Sequence, residues 1–274
     1  MSEARQARAR IFHSLHAPGL LLVLANAWDA ASARMIEGCG ARAIATTSAG
    51  LAWSHGYPDG DALPPDVLAA AVAEIARVIS VPLSVDFEGG YAADPARVGE
   101  GIARVIDAGA VGINLEDGTD SPDILCAKIE AVKTAARGRG VDLFVNARCD
   151  VFLRRLAAPE RALAETLARG GRYRSAGADG LFVPGVTDTA AIRAIAAGVA
   201  LPLNVIVMPG LPPVAELAAL GVRRLSAGSR IHQAAYRTAR EAATALLRDG
   251  RIDALVAPGG LTNAELNALF AARS

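Results

Sequence analysis

Short apolar runs alternate with longer helix-like segments along this chain of 274 residues. The runs are almost continuously apolar, as expected of strands in a parallel sheet that is covered by helices. The segments between them carry proline at or near several starts and glycine just past several ends, which is typical of helices. Eight runs are predicted to be strands: residues 21–28, 43–48, 81–88, 111–117, 142–148, 180–185, 201–207 and 223–228.

Eight strand–helix units predict an α/β fold, a closed (β/α)8 TIM barrel with additional C-terminal helices. A doubly wound sheet is the alternative, but it usually has fewer strands and a glycine-rich nucleotide-binding turn after the first one. The corresponding segment here, ANAWDAASA, has no such pattern, and the chain contains no P-loop motif. Because barrels of this length are commonly one domain, residues 1–274 are expected to form a single domain.

Residues 251–274 extend beyond the eighth strand–helix unit. Thr262 and Glu265 have the spacing of a capping box, which predicts that a helix begins there. An apolar helix outside a closed barrel needs a surface to cover, so this extension is expected to pack against one.

The charge balance excludes several classes of partner. With 28 basic and 28 acidic side chains the net charge is zero, which does not match the basic footprint of a nucleic-acid-binding protein. Residues 1–19 lack the apolar core of a signal peptide, and no later stretch reaches the roughly 18 apolar residues of a membrane span. We therefore expect a cytoplasmic protein that binds neither nucleic acid nor membrane.

The positions of the cysteines and lysines exclude two kinds of site, a cysteine metal site and a Schiff-base lysine. Cys39, Cys126 and Cys149 are widely spaced and form no metal-binding motif, so they are expected to be reduced, with Cys126 a buried structural thiol. The two lysines, Lys128 and Lys133, fall in the helix predicted after the fourth strand. No lysine is thus placed at a strand end, where it could form a Schiff base with a carbonyl substrate.

Polar side chains collect at the ends of the predicted strands, which is where barrels of this kind carry their active sites. Several come in pairs two residues apart, and side chains with that spacing project from a strand in the same direction. The set comprises Asn26, Asp29, Thr46, Ser48, Asp86, Glu88, Asn114, Glu116, Asn146 and Arg148, together with Asn204 inside the seventh strand.

Asp86, Glu88 and Glu116 would meet as three carboxylates at the mouth of the barrel. An oxygen-rich site suits Mg²⁺ or Mn²⁺ better than zinc, and the chain has only four histidines. Acids at strand ends can instead cap the following helix, and for a lone acid such as Asp150 that is the expected role. Arg148 adds a planar cation that binds carboxylate or phosphate, which indicates an anionic substrate.

Five strings occur in order at these strand ends: NAWDAASA, TTSAGLAWSHGYPDGD, VDFEGGYA, GINLEDG and VNARCD. Together they resemble the isocitrate lyase/phosphoenolpyruvate mutase superfamily, in particular its carboxyvinyl-carboxyphosphonate phosphorylmutase-like members, and the resemblance covers essentially the whole chain. It implies a (β/α)8 barrel in which Asp86 binds Mg²⁺, or Mn²⁺, while Glu88 and Glu116 hold the ion through water. It further implies that Asp59 helps to organise the metal site.

The same resemblance assigns expected roles around the substrate. Thr47, Ser48 and the backbone of Ala49 match a segment that cradles a substrate carboxylate, and Arg148 matches an arginine that contacts the substrate. The implied chemistry makes or breaks a C–C or C–P bond next to a 2-oxo or 2-hydroxy acid, through a pyruvate-like enolate on the metal. The catalytic residues are expected to be Arg148, Asp59 and Asn114. Trp28, Asp86 and Asn204 are expected to join those that bind substrate.

The segment EDGTDSPDILCAKIEA departs from the family pattern, because it is short and lacks the Lys-x-Cys-Gly-His motif of the lyases and the longer lid of the mutases. We therefore expect a Mg-dependent lyase or decarboxylase that acts on a small 2-oxo or 2-hydroxy dicarboxylate such as oxaloacetate. The alternatives are a phosphoenolpyruvate or phosphonopyruvate mutase or hydrolase, and a catalytically weak protein that binds a 2-oxo acid. Since the C-terminal region of the family packs against a neighbouring subunit, a homodimer or homotetramer is expected, with residues 251–274 at the interface.

Overall fold

The first predicted strand is present as two short strands on either side of Ala25, β1 (Leu22–Leu24) and β2 (Asn26–Ala27). The computed structural model describes residues 2–257 and 259–271 of the chain. Within them, every strand pair is parallel, and β1 pairs with the last strand while β2 pairs with the next one, so the sheet curls into a nearly closed barrel. The other strands are β3 (Ile44–Thr46), β4 (Leu83–Asp86), β5 (Gly112–Glu116), β6 (Phe144–Arg148), β7 (Gly180–Phe182), β8 (Leu203–Ile206) and β9 (Val222–Ser226).

Each of the eight predicted strands is confirmed, and helices surround the sheet. Four helices begin with the proline that the sequence places there, namely Pro65, Pro95, Pro122 and Pro159. The helices are α1 (Ser2–Ser14), α2 (Ala30–Gly38), α3 (Ser48–Ser54), α4 (Pro65–Val78), α5 (Pro95–Ala108), α6 (Pro122–Gly138), α7 (Pro159–Ser175), α8 (Thr189–Gly198), α9 (Val214–Ala219), α10 (Arg230–Asp249), α11 (Asp253–Val256) and α12 (Asn263–Ala268).

Helix α1 packs across the end of the barrel where the strands begin. Phe12 is fully buried and meets the Phe144 ring edge-on, with ring centroids 5.4 Å apart. A Cβ atom at Gly112 would lie 2.5 Å from the Phe12 ring, so this position of β5 admits only glycine. Because Phe144 and Gly112 are the first residues of β6 and β5, Phe12 closes this end of the barrel, and the opposite end is left for a site.

The C-terminal helices leave apolar side chains in solvent. Leu247 is 83% exposed and Val256 is 70% exposed, whereas the barrel core excludes solvent from most of its leucines and isoleucines. Thr262 and Glu265 form the predicted capping box at the start of α12. Of the predicted extension, residues 258 and 272–274 lie outside the described residues. No helix in the described part of the chain is both long enough and apolar enough to cross a membrane.

Candidate active site

A pocket of about 260 Å³ opens at the carboxyl ends of the strands. Four polar residues predicted from strand ends lie in its wall: Asn26, Asp86, Asn114 and Arg148. The rest of the wall comes from the last residues of β7, β8 and β9, from the loops that follow β6 to β9 and from the start of α10, and it is mostly apolar. These residues are Leu153, Phe182, Pro184, Gly185, Ile206, Val207, Met208, Ser226, Ala227, Gly228, Ser229, Arg230 and Gln233.

Asp86 is the last residue of β4 and pairs with Asn114 of β5. Its backbone N–H donates to the Thr46 hydroxyl at 2.8 Å, which fixes the end of the strand. Its carboxylate oxygens receive only long hydrogen bonds, from the Ser48 N–H at 3.3 Å and from Asn114 Nδ2 at 3.4 Å. Hydrogen bonds of that length are weak, so both oxygens retain the capacity to bind a cation.

Glu88 is buried and already satisfied by the protein. Its Oε2 accepts hydrogen bonds from the N–H groups of Gly60 and Asp61, at 2.8 and 2.5 Å, and its Oε1 accepts one from the Tyr91 hydroxyl at 2.6 Å. Burial raises the pKa of Glu88, and the charge of Asp86 acts in the same direction. Glu88 therefore joins the loop after α3 to the loop after β4, beside Asp86.

A second set of contacts holds the same two loops, and sequence reasoning missed it. The Asp61 carboxylate accepts a hydrogen bond from the Tyr91 N–H at 3.1 Å. The buried Lys128 ammonium donates to the Gly89 carbonyl at 2.6 Å. A Cβ atom at Gly89 would lie 2.6 Å from Asp61 Oδ2, so a larger residue there would displace the Asp61 carboxylate from its place between the loops. The glycines of VDFEGGYA were the available signal, because they indicate a close backbone approach.

Arg148 is clamped between two carboxylates. Its Nη1 lies 2.5 Å from Glu116 Oε2, across the β5–β6 pair in which these residues are partners. Its Nε and Nη2 donate to the two oxygens of Asp150 at 2.7 and 3.0 Å. Burial raises the pKa of Glu116 to about 8, against the opposing effect of Arg148. The clamp leaves one N–H each on Nη1 and Nη2 for another anion.

The expectation that Asp150 caps a helix is wrong. Its side chain is fully buried and binds Arg148 and also Arg154, whose Nε donates at 2.8 Å. Its backbone N–H donates to Asp117 Oδ1 at 2.8 Å. The nearest following helix, α7, instead begins after Ala158 without a side-chain cap. Asp150 is thus a support for the arginine rather than a helix terminus.

Other predicted residues lie outside the pocket wall. Asp29 and Thr47 accept hydrogen bonds at the starts of α2 and α3, so these two do act as helix caps. Trp28 packs against His232, with ring centroids 4.6 Å apart. Ala49 is buried in the first turn of α3. Asn204 is fully buried below the pocket and bonds only to protein groups. Cys126, predicted to be buried, is only partly so.

Asp59 lies on the loop between α3 and α4. The residue as a whole is exposed, but partial desolvation of its carboxyl raises its pKa, and the charge of Asp86 adds to the effect. Asp86 acts in the same sense on Glu88 and Glu116. The charge of Asp86 thus acts on the carboxyl groups of Asp59, Glu88 and Glu116, the acids with which the sequence analysis groups it.

The donor set fits a hard divalent cation that keeps most of its water. Within the described residues, no three His, Cys, Asp or Glu side chains lie close enough to ligate one ion together. Asp86 accepts only weak hydrogen bonds, whereas Glu88 and Glu116 are held by their own donors, which leaves Asp86 as the carboxylate best placed to bind an ion directly. Mg²⁺ is commonly bound in this way, through one or two carboxylates and several waters. The Mg²⁺ site itself stays a prediction.

Arg230 and Gln233, at the start of α10, were missed by sequence reasoning although they lie in the pocket wall. The Arg230 guanidinium makes no hydrogen bond or ion pair with any described side chain or backbone group. Their position just after the eighth strand was the available signal, since every βα loop contributes to the mouth of such a barrel.

A barrel with a cluster of carboxylates and a clamped arginine at its mouth is typical of a TIM-barrel enzyme. The chain belongs to the phosphoenolpyruvate phosphomutase family, whose model matches residues 12–247. It is accordingly an enzyme of the phosphoenolpyruvate mutase/isocitrate lyase superfamily, which includes lyases and oxaloacetate decarboxylases.

Three relatives illustrate the range of this family. An uncharacterised protein of Mycobacterium tuberculosis (strain ATCC 25618 / H37Rv) is 37% identical over 239 residues, which cover 86% of this chain and 88% of the relative. A candidate phosphonomutase of Burkholderia cenocepacia J2315, of known structure, is 43% identical with a TM-score of 0.82 and coverage of 85% and 98%. An oxaloacetate decarboxylase of Bradyrhizobium sp. (strain BTAi1 / ATCC BAA-1182) is 30% identical over 232 residues, covering 78% and 77%.

Proposed function

We propose that this protein is a Mg²⁺-dependent lyase or decarboxylase of a small 2-oxo or 2-hydroxy dicarboxylate, and that the reaction passes through a pyruvate-like enolate. The observation that carries the proposal is the position of Asp86: its oxygens accept only weak hydrogen bonds, and Asp86 lines one pocket with Arg148. The identity to oxaloacetate decarboxylases supports the proposal.

Asp86 would hold the ion directly, with Glu88 and Glu116 behind coordinated water. When bound, Mg²⁺ would act as a Lewis acid that polarises the carbonyl of a 2-oxo acid. The free N–H groups of Arg148 would bind a substrate carboxylate, and the Glu116 and Asp150 clamp would hold that fork in one orientation. Asn114 Nδ2, beside Asp86, would orient the second substrate oxygen.

The shape of the pocket favours a small substrate and a simple reaction. A volume of about 260 Å³ accommodates an acid of a few carbon atoms. Between the end of β5 and the start of α6 the chain has only residues 117–121, too few for a long lid. An open mouth admits water, which suits decarboxylation or C–C cleavage better than transfer of a reactive phosphoryl group.

Arg230 is expected to select a substrate with a second negative charge. Among the described residues Arg230 has no partner, and it lies in the pocket wall. Its guanidinium can therefore form a charge-assisted hydrogen bond to a second carboxylate of the substrate. Arg230→Gln should raise KM for a 2-oxo dicarboxylate about 10- to 100-fold and leave KM for the matching monocarboxylate unchanged. Steady-state kinetics with both substrates measure this.

Arg237→Gln is the matched control, because Arg237 lies on the same helix, is exposed, and pairs only with Glu241 at 4.0 Å. Equal losses for dicarboxylate and monocarboxylate in Arg230→Gln would contradict the assignment.

The experiment that tests the proposed function is a panel of oxaloacetate, 2-alkylmalates and phosphonopyruvate, assayed with Mg²⁺ and with a chelator. Metal-dependent release of CO₂ or of a 2-oxo acid from the carbon substrates supports the proposal. Phosphonopyruvate turnover alone would favour C–P chemistry, the second candidate, which the 43% identity to the candidate phosphonomutase supports. Thermal stabilisation by these acids without any product would make the protein a binder of 2-oxo acids.

The exposed apolar face of the C-terminal helices is expected to be covered by a second copy of the chain, in a homodimer or homotetramer. Leu247 and Val256 are its most exposed members. Replacing both by glutamate should shift the protein to a smaller species in sedimentation velocity, because burying two charges without partners is costly. The variant Arg248→Glu, a charged change beside this face, controls for net charge. A wild-type protein that sediments as a monomer would refute the assembly.

A further inference from the structure

Arg224, on β9, crosses the interior of the barrel. Its Nη2 lies 3.5 Å from the Ser84 hydroxyl on β4 and 3.3 Å from Asn114 Oδ1 on β5, on the opposite side of the sheet. Ser84 precedes Asp86 by two residues, so both face the interior and the guanidinium lies one layer below Asp86. Arg224 therefore forms part of the floor beneath the pocket.

The hydrogen-bond partners determine the orientation of the amides above it. Asn204 Nδ2 contacts the carbonyls of Val205 and Arg224, which can only accept, so Asn204 Oδ1 must face Asn146. The atom of Asn146 that meets it is then the donor Nδ2, and it also donates to Asn114 Oδ1 at 2.9 Å. The guanidinium of Arg224 can only donate, and it meets the same Asn114 oxygen.

Asn114 is left with its N–H groups directed at Asp86 and the pocket. Two independent anchors fix this direction, the backbone carbonyls at one end of the network and the guanidinium at the other. The Arg224 guanidinium binds the carbonyl oxygen of the Asn114 amide and therefore also polarises its N–H groups, since hydrogen bonds in series strengthen one another.

Among the described residues, no carboxylate hydrogen-bonds or ion-pairs with Arg224, and the acid whose charge acts on it is Asp86, in the pocket above. Arg224 is 1% exposed, and its Nε and Nη1 have no hydrogen-bond partner. Beneath it lie the Phe12 ring, 5.9 Å from the guanidinium carbon, and the buried His16. Burial lowers the pKa of Arg224 to about 10, so the side chain is cationic at neutral pH. An anion bound in the pocket above would add to the compensation that Asp86 provides.

We propose that Arg224 is a positioning residue that places a buried positive charge under the pocket floor and transmits it through Asn114 to an anion bound above Asp86. This role rests on the proposed function, because it serves the negative charge that accumulates when a 2-oxo acid becomes an enolate. Charge in a water-poor interior acts strongly on such a group, and a fixed cation needs no reorganisation during the reaction.

Calorimetric titration with oxalate, a dianion that mimics the enolate, in saturating Mg²⁺ tests the role without turnover. Arg224→Met should weaken oxalate binding about 10-fold, the size of one charge-assisted hydrogen bond, and Arg224→Lys, which keeps the charge, should recover part of that loss. Arg223→Met is the control, since Arg223 is the adjacent arginine on β9 and its side chain bonds only the Val222 carbonyl. In an Asn114→Ala background, Arg224→Met should add less than about 2-fold.

The outcomes separate this role from the proposed function. Wild-type protein that binds no oxalate with Mg²⁺ overturns both. If Arg224→Met leaves oxalate binding unchanged, the role of Arg224 is overturned and the proposed function stands. The same holds if Arg224→Met has an equal effect in the Asn114→Ala background. If Arg224→Lys binds oxalate no more tightly than Arg224→Met, the positive charge of Arg224 does not contribute to binding. We expect Arg224→Met to fold, because it removes buried N–H groups that have no partner. If Arg224→Met does not fold, Arg224→Gln is a second uncharged variant for the same test.

Discussion

Asp86→Asn is expected to lower kcat/KM for the 2-oxo dicarboxylate by about 1,000-fold or more, because it removes the carboxylate charge that would bind the ion. The asparagine keeps the shape of the side chain and can still accept from the Ser48 N–H, so the fold should persist. The thermal midpoint should change little, since in the metal-free protein Asp86 repels the carboxylates of Asp59, Glu88 and Glu116 but attracts the guanidinium groups of Arg148 and Arg224.

Two measurements check this prediction: steady-state kinetics at several Mg²⁺ concentrations, and Mn²⁺ binding followed by electron paramagnetic resonance. Asp94→Asn is a suitable control, because Asp94 follows the same strand but only caps α5. An Asp86→Asn protein that binds Mn²⁺ as tightly as the wild type would show that the ion, if bound, is held elsewhere.

Asp150→Asn is expected to produce the second large effect, on both stability and catalysis. The change removes the charge that pairs with Arg148 and Arg154 in a fully buried position. Breaking a buried ion pair typically costs about 3–5 kcal/mol of folding free energy. Arg148 would also lose the partner that holds its fork, and a misplacement of about 1 Å can reduce the rate about 100-fold.

Urea unfolding gives the free energy of unfolding, and kcat/KM at a temperature where the variant is folded gives the catalytic part. Asp123→Asn is the matched control, because Asp123 forms an exposed ion pair with Arg172 and should change the stability by at most about 1 kcal/mol. A folded Asp150→Asn enzyme with unchanged kcat/KM would mean that Glu116 alone is sufficient to orient Arg148.

Much of the fold could be predicted because the signals are local. Continuous apolar runs locate all eight predicted strands, and the prolines at positions 65, 95, 122 and 159 locate the starts of four helices. The division of the first strand at Ala25 could not be predicted in this way. It arises because one strand must pair with β9 through its first half and with β3 through its second half, which is a requirement of closure rather than of the local sequence.

Part of the candidate site could be predicted from the alternation of side-chain directions along a strand. The part that depends on which group each side chain contacts could not. Spacing of two residues placed Asp86 and Arg148 correctly in the pocket wall, but their predicted companions lie elsewhere: Glu88 is beyond the end of β4, and Asn146 bonds to Asn114 and Asn204. Spacing cannot say whether an acid at a strand end faces water, a helix or an arginine, so Asp29 and Asp150 were open to the wrong interpretation. Asp29 caps a helix, whereas Asp150 meets two arginines that are brought to it only by the fold.

Arg224 was unpredictable for a related reason. Its sequence neighbourhood, VRRLSAG, contains two arginines with identical chemistry. Alternation along β9 turns Arg224 into the barrel and Arg223 away from it, but the polar layer that receives Arg224 comes from β4 and β5, more than a hundred residues earlier. A buried arginine in this setting depends on partners that only the closed barrel assembles.

The packing of Phe12 at the bottom of the barrel has a consequence for traffic through the enzyme. In the described part of the chain, the first helix blocks that end of the barrel, so we expect a product to leave through the same opening by which the next reactant enters. The next reactant could then enter only after the product has cleared this opening, so the two steps would follow a fixed order.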